Sequence, residues 1–160
     1  HAMKSGAGYA EIILPDGLAV GTYMAVNACG EIYDQDKILA GALADDDRTI
    51  ISSHRLMLEG YERNMGGNTS IGCIITNADL TKTECRMVST MAHDGLARSI
   101  RPVHTSMDGD TLFTMASGEV KTTIDTVGYL AEEAVRLAVL DAAASAEGMG
   151  GRPAYRDIIK

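Results

Sequence analysis

Apolar residues recur along this chain first with a period of two and later with a helical period. Tyr9–Leu14 and Ala19–Val26 read as two strands. Pro15-Asp16-Gly17 between them is turn chemistry, so the pair predicts a hairpin, with Asn27 ending its second strand. From about Ala28 to Gly67 polarity is mixed and acidic residues are frequent, with short helical potential only near Ile50 to Glu62. That region is expected to be a long surface excursion. Ser70 to Thr76 predicts a strand apolar on both faces and hence central in its sheet. Thr81 with Glu84 three residues on is a capping-box signature. The helix it opens should run to about Ile100 and stop at Arg101-Pro102, because a residue before proline disfavours α geometry. Its expected apolar face is Met87, Met91, Ala92, Leu96 and Ser99. Leu112 to Ser117 alternates as a further strand. A long helix over about Thr126 to Glu147 follows, with Val127, Leu130, Ala131, Ala134, Val135, Ala138, Val139 and Ala142 on one face, Gly148 closing it and a tail beyond Gly150. Helices laid on an antiparallel sheet imply a layered α+β fold.

Composition narrows the function classes. At 160 residues, 46% of them hydrophobic, the chain is long enough for one domain with a core. The net charge of −8 argues against nucleic acid, whose phosphates need a basic footprint. Asp45-Asp46-Asp47 reads as a solvated loop rather than a cation site. Cys29, Cys73 and Cys85 are odd in number and lack close spacing, so neither a disulfide framework nor structural zinc is expected; Cys73 and Cys85 read as small core residues. There is no apolar run of the roughly 18 residues a membrane span needs, and no signal peptide is evident. A reducing cytoplasm is the expected location, and no cofactor or metal is called for.

The candidate chemistry sits at Gly66-Gly67-Asn68-Thr69-Ser70-Ile71-Gly72. A hydroxyl held between a flexible turn and a buried strand can attack the carbonyl just before it and break the Asn68–Thr69 bond. The Thr69 left behind carries its own base, since a free α-amine titrates near neutrality (about 7.7–8.0). Downstream, Asp108 and Asp110 flank a glycine ahead of a strand, and that spacing lets both carboxylates approach one site if the turn curls. Asn27 ends an apolar strand, where an unpaired amide would cost roughly 1–3 kcal/mol, so it is expected to have a polar task. His93, even beside Asp94, reads as a structural histidine in mid-helix. Arg98 and Arg101 read as complements to the helix dipole and braces for the loop carrying Asp108. His104-Thr105 with Asp108 lacks a third metal ligand at sensible spacing.

Taken together, Ala25-Val26-Asn27-Ala28, Gly67-Asn68-Thr69-Ser70-Ile71-Gly72 and the run from Met91 through His93-Asp94-Gly95-Leu96-Ala97-Arg98 to Asp108-Gly109-Asp110-Thr111 resemble the L-aminopeptidase/D-esterase family of self-cleaving N-terminal-nucleophile hydrolases. That family includes β-aminopeptidases, a pantetheine hydrolase and nylon-oligomer hydrolases. The resemblance runs from about Lys4 to about Ala146 and covers only the C-terminal part of the family pattern; Ala2-Met3-Lys4 is similar to its Ala-Met-Lys loop, so the chain is expected to begin mid-protein. It implies a four-layer α-β-β-α sandwich of which this chain supplies the C-terminal part, residues 1–68 ending an α-subunit-like portion and 69–160 forming a β-subunit-like portion. By the same resemblance Thr69 is the nucleophile, Asp108 and Asp110 orient it and hold its ammonium, Asn27 donates to the oxyanion, and Lys4 assists the same charge.

The function expected is an amide hydrolase that matures at Asn68–Thr69 and acts through an acyl-threonine intermediate on small amino-acid amides or ω- and β-amino-acid oligomers. Threonine after asparagine looks more like the nylon-hydrolase and pantetheine-hydrolase branches. The expected partners are a small amide substrate, the N-terminal half of the same precursor and further copies in a homo-oligomer, with neither nucleic acid nor membrane. The alternative is a catalytically incomplete fragment, an association module needing the missing half.

Overall fold

The computed structural model describes residues 2–60 and 67–158. β1 (Ala7–Ile13) and β2 (Ala19–Ala25) form the expected antiparallel hairpin, with Tyr9 opposite Tyr23 and Glu11 opposite Gly21. Its turn closes through the Gly17 N–H on the Leu14 carbonyl (3.0 Å), and Gly17 takes φ +88°, a conformation that a side chain would oppose.

The stretch after Asn27 departs from expectation. It is built rather than looped out: β3 (Glu31–Asp34), β4 (Lys37–Ala40), β5 (Ala42–Leu43), β6 (Ile50–Ile51) and α1 (Ser53–Leu58). Ile32, Tyr33, Leu39, Ala40 and Leu43 are buried. Glu31, fully buried, accepts hydrogen bonds from the Ser53 N–H (2.8 Å) and the His54 N–H (3.5 Å), tying α1 to β3. Apolar runs of two or three residues are too short to show a period, which is why the sequence reads as excursion. The acidic triplet is the β5–β6 turn: Asp46 accepts from the Arg48 and Thr49 N–H groups (2.9 and 2.8 Å), so its carboxylate serves the backbone. The end of the expected helical stretch, residues 61–62, lies outside the described residues.

β7 (Ile71–Ala78) is central as expected, pairing antiparallel with β2. α2 (Lys82–Ser99) starts with the full Thr81–Glu84 capping box and ends one residue before Ile100. It passes through β8 (Ile100–Arg101), which pairs with β3, to β9 (Thr111–Val120), parallel to β7. The main sheet therefore runs β1-β2-β7-β9, with a smaller β4-β3-β8 sheet beside it. α3 (Ile124–Ala144) buries every residue of its expected face, but it stops at Ser145, three residues short of Gly148. Beyond it, α4 (Tyr155–Ile158) docks instead of trailing, with Ala154 buried and Arg156 Nε donating to the Ala144 carbonyl (2.7 Å).

α2 and α3 cover one face of the main sheet. α3 lies so close on β1 that a Cβ on Gly8 would stand 2.9 Å from Ala142 Cα. The buried face of α2 is Val88, Ala92, Gly95, Leu96 and Ser99; Met87, expected inside, is half exposed. Arg98 pairs with Glu132 (2.7 Å) and Glu133 (3.3 Å) of α3, and Arg101 stacks over the Tyr33 ring at 4.8 Å, so neither braces the Asp108 loop. The other face of the main sheet is apolar and open, with Tyr9, Tyr23, Ile75, Phe113 (58% exposed) and Met115 (56%) upon it. Cys73, opposite both Tyr23 and Phe113, lies on this face and not in the core; Cys85 too is only partly buried. No helix among the described residues is long and apolar enough to cross a membrane.

Candidate active site

Parallel pairing of β7 with β9 continues backwards past Ile71 and Thr111, bringing residues 107–111 alongside 68–71. The Asn68 N–H donates to the Met107 carbonyl (3.2 Å), the Gly109 N–H to the Asn68 carbonyl (2.9 Å), and the Thr111 N–H to the Ser70 carbonyl (3.0 Å). From the β2 side the Asn27 carbonyl accepts the Thr69 N–H (3.1 Å). Asn68 is fixed again through its side chain, Nδ2 donating to the Ala28 carbonyl (2.7 Å). The Asn68–Thr69 peptide is thus clamped from both neighbouring strands, with Thr69 partly buried between them.

Within that clamp the Thr69 hydroxyl donates to the Asn68 carbonyl oxygen at 2.6 Å. Gly109 backs it closely: a Cβ there would stand 2.7 Å from Thr69 Oγ1. Asp110 Oδ1 accepts the Ser70 N–H at 2.7 Å, a charge-assisted bond that sets the residue following Thr69. Asp108 Oδ2 accepts from the Thr105 N–H (2.9 Å) and Oγ1 (2.8 Å), so it shapes the loop instead of touching Thr69. Asp110 thus reaches the Asn68–Thr69 peptide only through the Ser70 N–H and Asp108 only through its own loop, and neither carboxylate is hydrogen-bonded to the Thr69 hydroxyl.

Asn27 is brought to the site, although by its carbonyl. Its side chain is exposed and has no hydrogen bond to a described residue, which corrects the expectation of a buried amide requiring a partner. Lys4 belongs to a segment bound along Val26, the Ser5 Oγ donating to the Val26 carbonyl (3.0 Å) and the Val26 N–H to the Gly6 carbonyl (2.9 Å). Lys4 itself donates its N–H to the Pro153 carbonyl (2.8 Å), and its ammonium is on the Ser5 carbonyl (2.8 Å) and not on Thr69.

His93 and His104 meet, Nδ1 to Nε2 at 3.1 Å, joining α2 to the loop that leads to Asp108. They line a cleft of about 480 Å³ with Arg86, Ser89, Thr90 and Leu112. Burial and the facing His104 lower the His93 pKa from its ordinary value, against the opposing pull of Asp110 and Asp94. Among the described residues no group of three or more His, Cys, Asp or Glu side chains could hold a metal ion. In the sequence Gly109 stands out only as the spacer between two aspartates and Thr105 only beside His104 in a rejected metal set; the contact of each with this segment needed the fold.

Thr69 thus lies just ahead of β7, its hydroxyl against its own preceding carbonyl, in a sheet backed on one face by two helices. The fold matches a β-aminopeptidase from a Burkholderia species (TM-score 0.67, 18% identity, 95% of this chain and 45% of that chain). It also matches the L-aminopeptidase D-Ala-esterase/amidase of Ochrobactrum anthropi, a variant among the Ntn-hydrolase folds (TM-score 0.61, 17% identity, 95% and 43%). In sequence the chain is similar to an uncharacterized aminopeptidase of Mycobacterium bovis, 34% identical over an alignment of 181 positions that covers 98% of this chain and 53% of the relative. A 6-aminohexanoate-oligomer endohydrolase of Kocuria is 41% identical over 54 residues, 34% of this chain and 15% of that protein. Residues 1–156 match the family model, and the chain belongs to peptidase family S58. It spans about half the length of the curated relatives it matches over nearly all of its own.

Proposed function

We propose that this chain is the catalytic C-terminal part of an amide hydrolase that cuts itself at Asn68–Thr69 and then works through an acyl-threonine intermediate. The observation that carries the reading is an Asn68–Thr69 peptide fixed from both neighbouring strands with the Thr69 hydroxyl held on the Asn68 carbonyl group, donating to its oxygen at 2.6 Å. Proximity of this kind replaces a bimolecular attack by an intramolecular one. Once the bond is cut, the Thr69 α-amine takes the hydroxyl proton, and Asp108 and Asp110, on the adjacent turn, hold the resulting ammonium. Asn27 Nδ2, exposed and uncommitted, turns to donate to the oxyanion of the substrate, with Lys4 contributing charge nearby.

The open apolar face formed by Tyr9, Tyr23, Ile75, Phe113 and Met115 supports a second sheet packed on the first, giving the α-β-β-α sandwich, with the precursor's N-terminal portion as its source. The proposed substrates are small amino-acid amides and ω- or β-amino-acid oligomers. The similarity to the 6-aminohexanoate-oligomer endohydrolase and the fold likeness to a β-aminopeptidase support that class. Assaying the full-length precursor and its Thr69→Ala variant on β-amino-acid amides and 6-aminohexanoate oligomers tests the reading. The variant should fold, stay in one piece and hydrolyse neither; turnover equal to the wild type would remove Thr69 as nucleophile.

A further inference from the structure

We infer that the backbone N–H of Gly109 is the oxyanion donor for cleavage of the Asn68–Thr69 bond, and that position 109 lacks a side chain to leave room for the attacking hydroxyl. The inference rests on the self-cleavage reading above and assigns to it a group that reading left without a role.

Two contacts converge on one atom. The Asn68 carbonyl oxygen accepts the Gly109 N–H at 2.9 Å and, in the resting chain, the Thr69 hydroxyl at 2.6 Å. An oxyanion donor is effective when it is already aimed at the oxygen on which charge develops, since no reorganisation is then required during reaction. The clamp supplies that preorganisation: the Asn68 N–H, the Asn68 side chain and the Thr69 N–H are each bound to a different carbonyl, so the carbonyl between them cannot swing away from Gly109. Gly109 is held in turn, with Asp108 locked onto Thr105 on one side and Thr111 paired with Ser70 on the other.

The glycine itself is the second observation. Gly109 is not among the residues with positive φ, so its backbone conformation does not demand glycine. What demands it is space, because an added Cβ would lie 2.7 Å from Thr69 Oγ1, where the nucleophile sits. One residue thus offers its N–H to the carbonyl oxygen and its vacant β position to the hydroxyl.

The step balances with water alone. Thr69 Oγ1 bonds to the Asn68 carbonyl carbon, and the carbonyl π pair moves onto the oxygen facing Gly109. The C–N bond then breaks, the hydroxyl proton ending on the Thr69 nitrogen, to leave an ester. Water cleaves that ester to the Asn68 carboxylic acid and a free Thr69 hydroxyl and amine.

The test removes the donor without adding bulk. In the full-length precursor, glycolate is placed at position 109 by semisynthesis, turning the Asp108–Gly109 amide into an ester, and self-cleavage is timed by mass spectrometry per folded molecule. Loss of one oxyanion donor should slow cleavage by about 10²–10³. Cleavage of the ester chain at the wild-type rate overturns the inference. Gly109→Ala is the second variant, keeping the N–H but placing Cβ against Oγ1; it too should stall, and wild-type cleavage by folded Gly109→Ala would show that the hydroxyl does not act from this place. A wild-type precursor that never cuts at Asn68–Thr69 instead overturns the self-cleavage reading, and this inference with it.

Discussion

Asp110 is where stability and chemistry separate most clearly. Ser70 is fully buried, and its N–H has the Asp110 carboxylate, at 2.7 Å, as its partner. Asp110→Ala leaves that donor without an acceptor, and an unsatisfied buried N–H costs about 1–3 kcal/mol, toward the upper end because the lost partner is charged. Asp110→Asn keeps an oxygen in reach and loses only the charge assistance, about 1 kcal/mol. For a chain of this size each kcal/mol moves Tm by roughly 2–4 °C, so Asn should lower Tm by about 2–4 °C and Ala by about 4–12 °C. Thermal unfolding by circular dichroism checks this, run in a Thr69→Ala background so that self-cleavage does not change the molecule during the scan. In the cleavable background both variants should lose about 10²–10⁴ in amide turnover, the range for positioned acid–base groups, and the loss should persist after correction for the folded fraction. An Asp110→Ala protein with unchanged Tm refutes the Ser70 bond; unchanged turnover in both variants refutes the carboxylate's role at the nucleophile.

Other outcomes follow from the same geometry. Asn27→Ala should leave stability within about 0.5 kcal/mol of the parent, since the side chain is exposed and only its carbonyl holds Thr69, yet cut turnover by about 10²–10³ if the amide donates to the oxyanion; a fall in Tm with normal turnover per folded molecule would make it structural. Gly95→Ala should destabilise by about 3 kcal/mol, because its Cβ would press on the Glu132 carbonyl and stand 2.9 Å from Val135 Cβ where α2 crosses α3; an unchanged denaturation midpoint contradicts that packing. His93, with a pKa held below the ordinary 6.5, binds its proton more readily in the unfolded chain. Its contribution is therefore intact above about pH 6.5 and is lost as pH falls toward the lowered value; His93→Gln should flatten the Tm profile between pH 7 and 5, and an unaltered profile would refute the assignment.

What could be read from the sequence followed from the length of the signal. α3 repeats its apolar face over many turns, so every expected core position from Val127 to Ala142 is buried. The Thr81–Glu84 box and the Pro15-Asp16-Gly17 turn are local devices whose chemistry needs no distant partner, and both stand as expected. β3 to β6 were illegible because strands of two to four residues gain their stability from tertiary partners such as Glu31 against Ser53. Cys73 reads as core since its strand is apolar on both faces; one of those faces is open in this chain.

The site was legible in part for a similar reason. Thr69 and the Asp-Gly-Asp turn carry their chemistry in residue type, and the parallel β7–β9 pairing brings them together. The orientation of Asn27, by contrast, depends on how β2 ends beside Thr69, which no pattern in the chain specifies. Gly109 acts through its backbone and an empty volume, features that a residue letter does not announce.

The central claim is that Thr69 becomes an N-terminus. Intact-mass measurement of the purified full-length wild-type protein, with N-terminal sequencing of any fragments, tests it directly. The account predicts two fragments, one ending at Asn68 and one beginning at Thr69, and a single unbroken chain from the Thr69→Ala variant. An active wild-type protein that remains uncut between Asn68 and Thr69 would contradict it.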